Sequence, residues 1–260
     1  MRAHRRPSLR GTPTSRRPPA TATRYVVFDV GGVLIRWDDR RVMDEAARRL
    51  HVDRERMYEL LHRFRPDLQA GRGDVDAFWE GFERELGLEV APSVRALWWR
   101  LLEREAQPRT DVLRWAEELR GMGFRTALFS NTDASHRRYF SERWGKDFSP
   151  RLLSYELGVV KPAPEAFRRA REKLGARASE ICLLDDVGAN VRAAQVDGWR
   201  GHKFQSVAGA RRFLQRLGWL PRSPRARGPL GPAAKHRAGR RASGRATKTR
   251  QRARATARPA

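Results

Sequence analysis

Cys182 is the only cysteine among 260 residues, so no disulfide forms within the chain. It sits in an apolar run, Ile181-Cys182-Leu183-Leu184, which predicts a buried structural thiol and not a nucleophile. No run of about 18 apolar residues is present, so no segment is expected to span a membrane. An apolar signal region is also missing near the N-terminus. The first apolar run, Tyr25 to Ile35, is broken by Asp29 and already reads as a core strand. An arginine-rich leader also suits an organellar transit peptide, but the matching C-terminal composition speaks against that reading. The expected compartment is the cytoplasm.

Acidic residues are absent from both ends. Residues 1–24 carry seven arginines and residues 221–260 thirteen lysines or arginines, so residues 25–220 keep only +5 of the formal +25 charge. All eight tryptophans fall in that middle part, which places the core there. The ends lack apolar side chains to offset chain entropy and are expected to be disordered. Basic tails can contact nucleic acid or an anionic surface through salt-sensitive phosphate contacts. With no aromatic interleaving for base stacking and no recognition pattern, a solvated low-complexity extension is the favoured reading.

What the chain does have is a strand signal that ends in chemistry. Tyr25-Val26-Val27-Phe28 reads as a buried parallel strand, and it runs into Asp29-Val30-Gly31-Gly32. A carboxylate at the end of a buried strand is costly to desolvate unless a metal or a ring of donors compensates it. The two glycines allow an unusual turn and a close ligand approach. Asp29 is therefore a candidate nucleophile or metal ligand, with a turn or helix-cap aspartate as the plain alternative.

Residues 38–106 read as successive helices with apolar faces Val42/Ala46/Ala47/Leu50, Met57/Leu60/Leu61/Phe64, Val75/Phe78/Trp79/Phe82 and Val94/Leu97/Trp98/Leu101/Leu102. Asp53 and Asp74 are candidate N-caps. The adjacent Trp98 and Trp99 cannot share one core stripe. From residue 110 strands and helices alternate: helix 111–121, strand 124–129, helix 134–143, strand 151–154, helix 164–174, strand 180–184, helix 188–197, strand 200–204 and helix 206–217. The expected fold is α/β, a doubly wound, Rossmann-like parallel sheet with an inserted helical cap and disordered basic termini. The expected divisions are a basic extension at 1–23, a core of 24–37 plus 107–220, a cap at 38–106 and a basic tail at 221–260.

Ser130, Lys161 and the pair Asp185-Asp186 fall at strand ends or just beyond, as Asp29 does, and parallel strands line their carboxyl ends along one edge. Together they form a coherent phosphate-handling set. Carboxylates hold Mg²⁺, a lysine neutralises phosphoryl charge, a serine positions oxygens, and an aspartate attacks phosphorus. Singly, each has a plain reading as a cap or a solvated charge.

Phe28-Asp29-Val30-Gly31-Gly32-Val33-Leu34, Leu128-Phe129-Ser130-Asn131-Thr132, Leu157-Gly158-Val159-Val160-Lys161-Pro162 and Leu183-Leu184-Asp185-Asp186-Val187-Gly188-Ala189-Asn190 resemble, in order and spacing, the four motifs of the haloacid dehalogenase superfamily. The likeness covers about residues 24–218, with the helical block where members with an early insertion carry a cap. It implies Asp29 as nucleophile and Mg²⁺ ligand, with the Gly31 carbonyl as a further ligand. It implies Ser130 and Asn131 as phosphoryl binders, Lys161 as stabiliser of nucleophile and transferred group, and Asp186 as a Mg²⁺ ligand assisted by Asp185. Asn190 stands where many members have a second acid. The partner it implies is a small phosphorylated substrate.

One departure matters. Gly31 stands where most phosphatases of the superfamily carry a second aspartate that protonates the leaving group. Three explanations follow: a substrate with a good leaving group, such as a sugar 1-phosphate; a proton supplied from Asp38 or Asp39; or a weakened enzyme that binds phosphorylated ligands. The sequence is similar to the subgroup containing α-D-glucose-1-phosphatase, whose first motif reads Asp-Leu-Gly. Hydrolytic 2-haloacid dehalogenases also lack that aspartate, but the Asp185-Asp186 pair favours a Mg²⁺ site and hence a phosphatase.

Overall fold

Four wholly buried side chains in alternation, Tyr25, Val26, Val27 and Phe28, make strand β1 (Tyr25–Phe28) the middle of the sheet. The computed structural model describes residues 23–37, 39–144 and 146–222. The basic ends and Asp38 lie outside these residues, as do the side chains of Asp39, Val42 and residues 97–102, including the Trp98-Trp99 pair.

The sheet has five parallel strands in the order β5-β4-β1-β6-β7. The flanking strands are β4 (Arg125–Ser130), β5 (Arg151–Leu153), β6 (Ile181–Asp185) and β7 (Arg200–Lys203). Parallel strands need crossovers, and helices supply them on both faces. Val26, Phe28, Leu128, Cys182 and Leu184 pack on one face, with Trp115, Leu119 and Leu214 from helices α5 (Thr110–Gly121) and α10 (Val207–Arg216). Tyr25, Val27, Phe129, Ile181 and Leu183 pack on the other, with Phe167, Ala170 and Ala194 from α8 (Pro164–Leu174) and α9 (Gly188–Val196). This is the doubly wound α/β arrangement, and it places ligand chemistry at the carboxyl ends of the strands where the order reverses beside β1. Cys182 is a free thiol buried in that core, and burial pushes it well above the ordinary thiol range.

Between β1 and β4 the chain leaves the sheet through a two-strand antiparallel neck, β2 (Ile35–Arg36) with β3 (Gln107–Pro108), in register Ile35–Pro108 and Arg36–Gln107. No strand signal marks either piece in the sequence, because two residues are too few to show a period. The neck encloses four helices, α1 (Asp39–Leu50), α2 (Arg54–Gln69), α3 (Val75–Leu86) and α4 (Pro92–Glu105). Asp53 caps α2 by accepting from the N–H groups of Glu55 and Arg56, and Asp74 caps α3 by accepting from that of Ala77. These helices bury their own cluster, with Met43, Met57, Leu60, Leu61, Trp79 and Phe82 at its centre. Met43 belongs to the α1 face along with the expected Ala46 and Ala47. No helix among the described residues is long and apolar enough to cross a membrane.

The remaining elements lie after β4. A 3₁₀ turn at Ala134–His136 leads into α6 (Arg137–Trp144), and one helical turn, α7 (Ser154–Leu157), follows β5. Helix α8 ends at Gly175, which takes the left-handed conformation its position requires.

Candidate active site

Asp29 is the first residue past β1, and its N–H still extends the ladder to the Leu184 carbonyl at 2.9 Å. The chain then folds back tightly, with the N–H groups of Leu34 and Ile35 both donating to Val30 O at 2.9 and 3.0 Å. Gly32 sits in this turn at φ +74°, and a Cβ there would lie 2.1 Å from Asp186 Oδ2. Glycine is thus needed twice, for the backbone angle and for the carboxylate beside it. Replacing Gly32 by Ala is expected to push Asp186 aside and to weaken divalent-cation affinity by about 10–100-fold. Isothermal titration of the variant with Mg²⁺ checks this.

The centre of the site is the Lys161 ammonium, which is buried. It donates to Asp29 Oδ1 at 2.9 Å, to Phe129 O at 2.8 Å and to Asp185 Oδ2 at 2.6 Å. Its three protons are therefore all used. The loop that delivers it is tied to the loop after β4 by a reciprocal pair: Asn131 Nδ2 donates to Lys161 O and Lys161 N–H donates to Asn131 Oδ1, each at 2.8 Å. Asp185, wholly buried at the end of β6, also accepts from Asn190 Nδ2 at 3.0 and 3.1 Å and from Val187 N–H at 2.9 Å. Asn190 thus holds a carboxylate in place without adding charge.

Asp29, Gly31, Ser130, Asn131, Lys161 and Asp186 line one cavity of about 550 Å³. Asp185 does not line it and works from behind, through Lys161. The structure therefore brings the sequence-derived residues to one edge of the sheet. Burial pushes the Asp29 carboxyl up to about 7, opposed by the Lys161 charge and reinforced by that of Asp185. Burial also raises Asp186, again with Asp185 adding to the effect. Burial works against the Lys161 charge, but the two facing carboxylates outweigh it and hold its pKa above the ordinary lysine value.

Asp29, Asp185 and Asp186 each offer an oxygen within 4.8 Å of the others. Two carboxylates on one ammonium, with Asp186 beside them, leave an excess of negative charge, which a divalent cation would neutralise. Hard oxygen donors with an open side toward a cavity are what Mg²⁺ takes. The donor set fits that ion.

Other residues reach the same cavity that the sequence did not single out. Trp37, Leu61, Arg65, Gln69 and Phe78 line it from the neck and the helical block, and Gln69 Nε2 donates to Asn131 O at 3.3 Å. Arg65 and Gln69 sit four apart on α2, so they share a face, but only the apolar stripe of that helix stands out in the sequence. Asp133, Ser135, His136 and Tyr139 line it from the β4–α6 segment. Asp133 accepts from Ser135 N–H at 3.0 Å and from the Ser135 hydroxyl, and lies 3.1 Å from His136 Nδ1. Burial disfavours the Asp133 charge, but its bonds to His136 and Ser135 outweigh this and hold it below the usual carboxylate range. The spacing Asp133-x-x-His136 just after Ser130 was the available signal, and it reads equally as a helix start.

A model of haloacid dehalogenase-like hydrolases matches residues 23–196. Rat bifunctional epoxide hydrolase 2 is 26% identical over 112 residues, which cover 41% of this chain but only a fifth of that protein. A HAD family enzyme of Bacteroides thetaiotaomicron, solved with magnesium and inorganic phosphate, superposes with a TM-score of 0.62 at 23% identity, over 72% of this chain and 96% of that one. The L-2-haloacid dehalogenase of Xanthobacter autotrophicus, with chloropropionic acid covalently bound, superposes at 0.51 with 21% identity, over 76% of this chain and 85% of that one. At these identities the superpositions speak to the fold alone.

Proposed function

The chain belongs to the haloacid dehalogenase-like hydrolases, and on that premise we propose that it hydrolyses a small phosphomonoester with Mg²⁺, through a phosphoryl group carried on Asp29. The observation that carries this reading is the clustering of Asp29, Asp185 and Asp186 beside a single buried lysine, with Asp29, Asp186 and Lys161 lining one cavity. A buried Asp185 and a half-buried Asp186 beside the nucleophile serve a cation better than they serve a metal-free displacement at carbon. The magnesium and phosphate bound by the Bacteroides relative agree with that preference.

Asp29, Asp186 and the Gly31 carbonyl would hold the Mg²⁺, with Asp185 assisting from behind. When bound, the ion draws electron density from the phosphoryl oxygens and offsets the charge of the acids. Lys161 fixes the Asp29 carboxylate and neutralises the transferred phosphoryl group. Ser130 and the Asn131 segment receive the phosphoryl oxygens at the end of β4. The helical block is the cap that closes over the cavity and selects the substrate. Trp37, Phe78 and Tyr139 give the cavity aromatic walls at a volume suited to a hexose phosphate. A sugar 1-phosphate, as in the α-D-glucose-1-phosphatase-like subgroup, would ease the leaving-group problem set by Gly31.

Phosphate release is measured across hexose 1-phosphates and 6-phosphates, with and without Mg²⁺. Cation-dependent release supports the reading. Halide release from a 2-haloacid in the presence of chelator would replace it with a dehalogenase. Binding of phosphorylated ligands without turnover would replace it with a binding module.

The raised Asp29 value has a consequence for stability. The metal-free fold keeps a proton on Asp29 up to about pH 7, whereas the unfolded chain loses it near 4. This group's contribution is therefore fully present below pH 4 and is lost as pH rises through 7. A cation competes with that proton, so the rise in Tm on adding Mg²⁺ should be larger at pH 8 than at pH 6. Thermal melts at the two pH values test this.

A further inference from the structure

Besides the neck, the helical block meets the core at the last turn of α2. Gln69 Nε2 donates to Asn131 O at 3.3 Å, and both residues line the cavity. Two residues on, Gly71 comes so close to α7 that a Cβ there would lie 2.6 Å from Tyr155 O. This tip is firmly built. The N–H groups of Ala70 and Arg72 donate to Asp67 O at 3.1 and 2.9 Å, and the Arg72 guanidinium pairs with the Asp67 carboxylate at 2.6 Å. Gly71 makes the turn between them at φ +68°.

The surface that receives the tip is a tied unit. Thr132 N–H donates to Ser154 Oγ at 2.8 Å, and that hydroxyl donates back to Thr132 O at 2.9 Å, which joins the segment after β4 to α7. Asn131 exchanges side-chain and backbone bonds with Lys161, each at 2.8 Å, which joins the same segment to the loop that delivers the lysine. Asn131 thus faces α2 through its carbonyl and the lysine loop through its amide. A displacement of α2 breaks the bond to Asn131, and a displacement of Asn131 disturbs α2 and the Lys161 loop together.

Resting on the phosphatase reading above, we propose that the tip of α2 is a latch. Gln69 and Gly71 seat the helical block on residues 131–132 and 154–155, and Gln69 is a positioning residue that acts on the phosphoryl-binding segment through the Asn131 carbonyl. An anion held at Ser130 and Asn131 favours the seated arrangement, and by linkage seating strengthens anion binding by the same factor. Glycine at position 71 is then needed for its closeness to the core as well as for its backbone angle.

The test sets Gly71→Ala against Gly87→Ala. Gly87 ends α3 at φ +64° with nothing within 4 Å of an added Cβ, so the two variants share the backbone cost and differ in the contact. The probe is inorganic phosphate in saturating Mg²⁺, followed by titration calorimetry and by amide hydrogen exchange. Phosphate should slow exchange across residues 66–72 of the wild type. Gly71→Ala should bind phosphate about tenfold more weakly than Gly87→Ala does, because part of its closed population is lost. Gln69→Leu, which removes one hydrogen bond, should weaken phosphate by about 2–10-fold. Equal affinities in the two glycine variants would overturn the latch, as would phosphate binding that leaves exchange across 66–72 unchanged. Should Gly71→Ala not fold, an unchanged phosphate affinity in Gln69→Leu would overturn it as well. Wild-type protein that binds no phosphate in Mg²⁺ would remove the phosphatase reading itself. Phosphate binding by the wild type together with any of the contrary results would leave that reading standing and sink only the latch.

Discussion

On the phosphatase proposal, Asp29→Asn is expected to lose phosphate release by roughly 10⁴–10⁶-fold, since it would remove the group proposed to form the covalent bond. The fold should not suffer in proportion. Asparagine has the same shape and can still accept from Lys161 Nζ through its amide oxygen, which replaces the 2.9 Å contact at Oδ1. The change also removes one of three crowded carboxylates, and one that burial already drives toward protonation. In metal-free buffer at pH 8 the variant should melt no lower than the wild type. Activity and stability thus part company at this residue, as expected where a charge is kept for chemistry. Calorimetry and a phosphate assay on the same preparation read both effects. A variant that keeps its activity would remove Asp29 from its role.

Lys161→Met should behave in the opposite way and damage both. The side chain is almost wholly buried and faces Asp29 and Asp185 at 2.9 and 2.6 Å. Removing the ammonium takes the donor from Asp29 Oδ1 and from the Phe129 carbonyl, and leaves the buried Asp185 with only its neutral donors, Asn190 and the Val187 N–H. Breaking a buried pair in this way typically costs about 3–5 kcal/mol. For a domain of this size the lower figure corresponds to a Tm drop of roughly 6–12 °C. Part of the loss should be recovered in saturating Mg²⁺, because a bound divalent cation offsets the same negative charge. Activity should stay low even then, since the ammonium that fixes the Asp29 carboxylate is gone. A melt unchanged from wild type would contradict the picture of Lys161 as the charge at the centre of the site.

How much of this was legible beforehand depends on the range over which each signal acts. The five core strands and most helices show in the sequence because their apolar periods are local, and caps such as Asp53 and Asp74 stand next to the turns they satisfy. Asp29, Ser130, Lys161 and Asp186 were legible as a set because a parallel sheet necessarily gathers its strand ends. The neck between Ile35–Arg36 and Gln107–Pro108 was not legible, since it joins residues about seventy apart through two pairs only. The same holds for Gln69 against Asn131, a contact 62 residues apart that depends on where α2 lies. The role of Asp185 as a carboxylate clamped behind Lys161, distinct from Asp186 at the cavity wall, needs side-chain positions that no spacing encodes. Asp133 and His136 were hidden for another reason: an Asp at a helix start is so common that its pairing with a histidine three residues on carries little weight until both face the same cavity.

On the phosphatase proposal, Asp29 accepts the phosphoryl group. Wild-type protein turning over p-nitrophenyl phosphate in Mg²⁺ can be quenched in acid within a turnover and mapped by peptide mass spectrometry. A phosphate on the peptide bearing Asp29, absent when Mg²⁺ is withheld, is the predicted result. Steady release of phosphate with no adduct on that peptide, or with the adduct on another residue, would contradict the account.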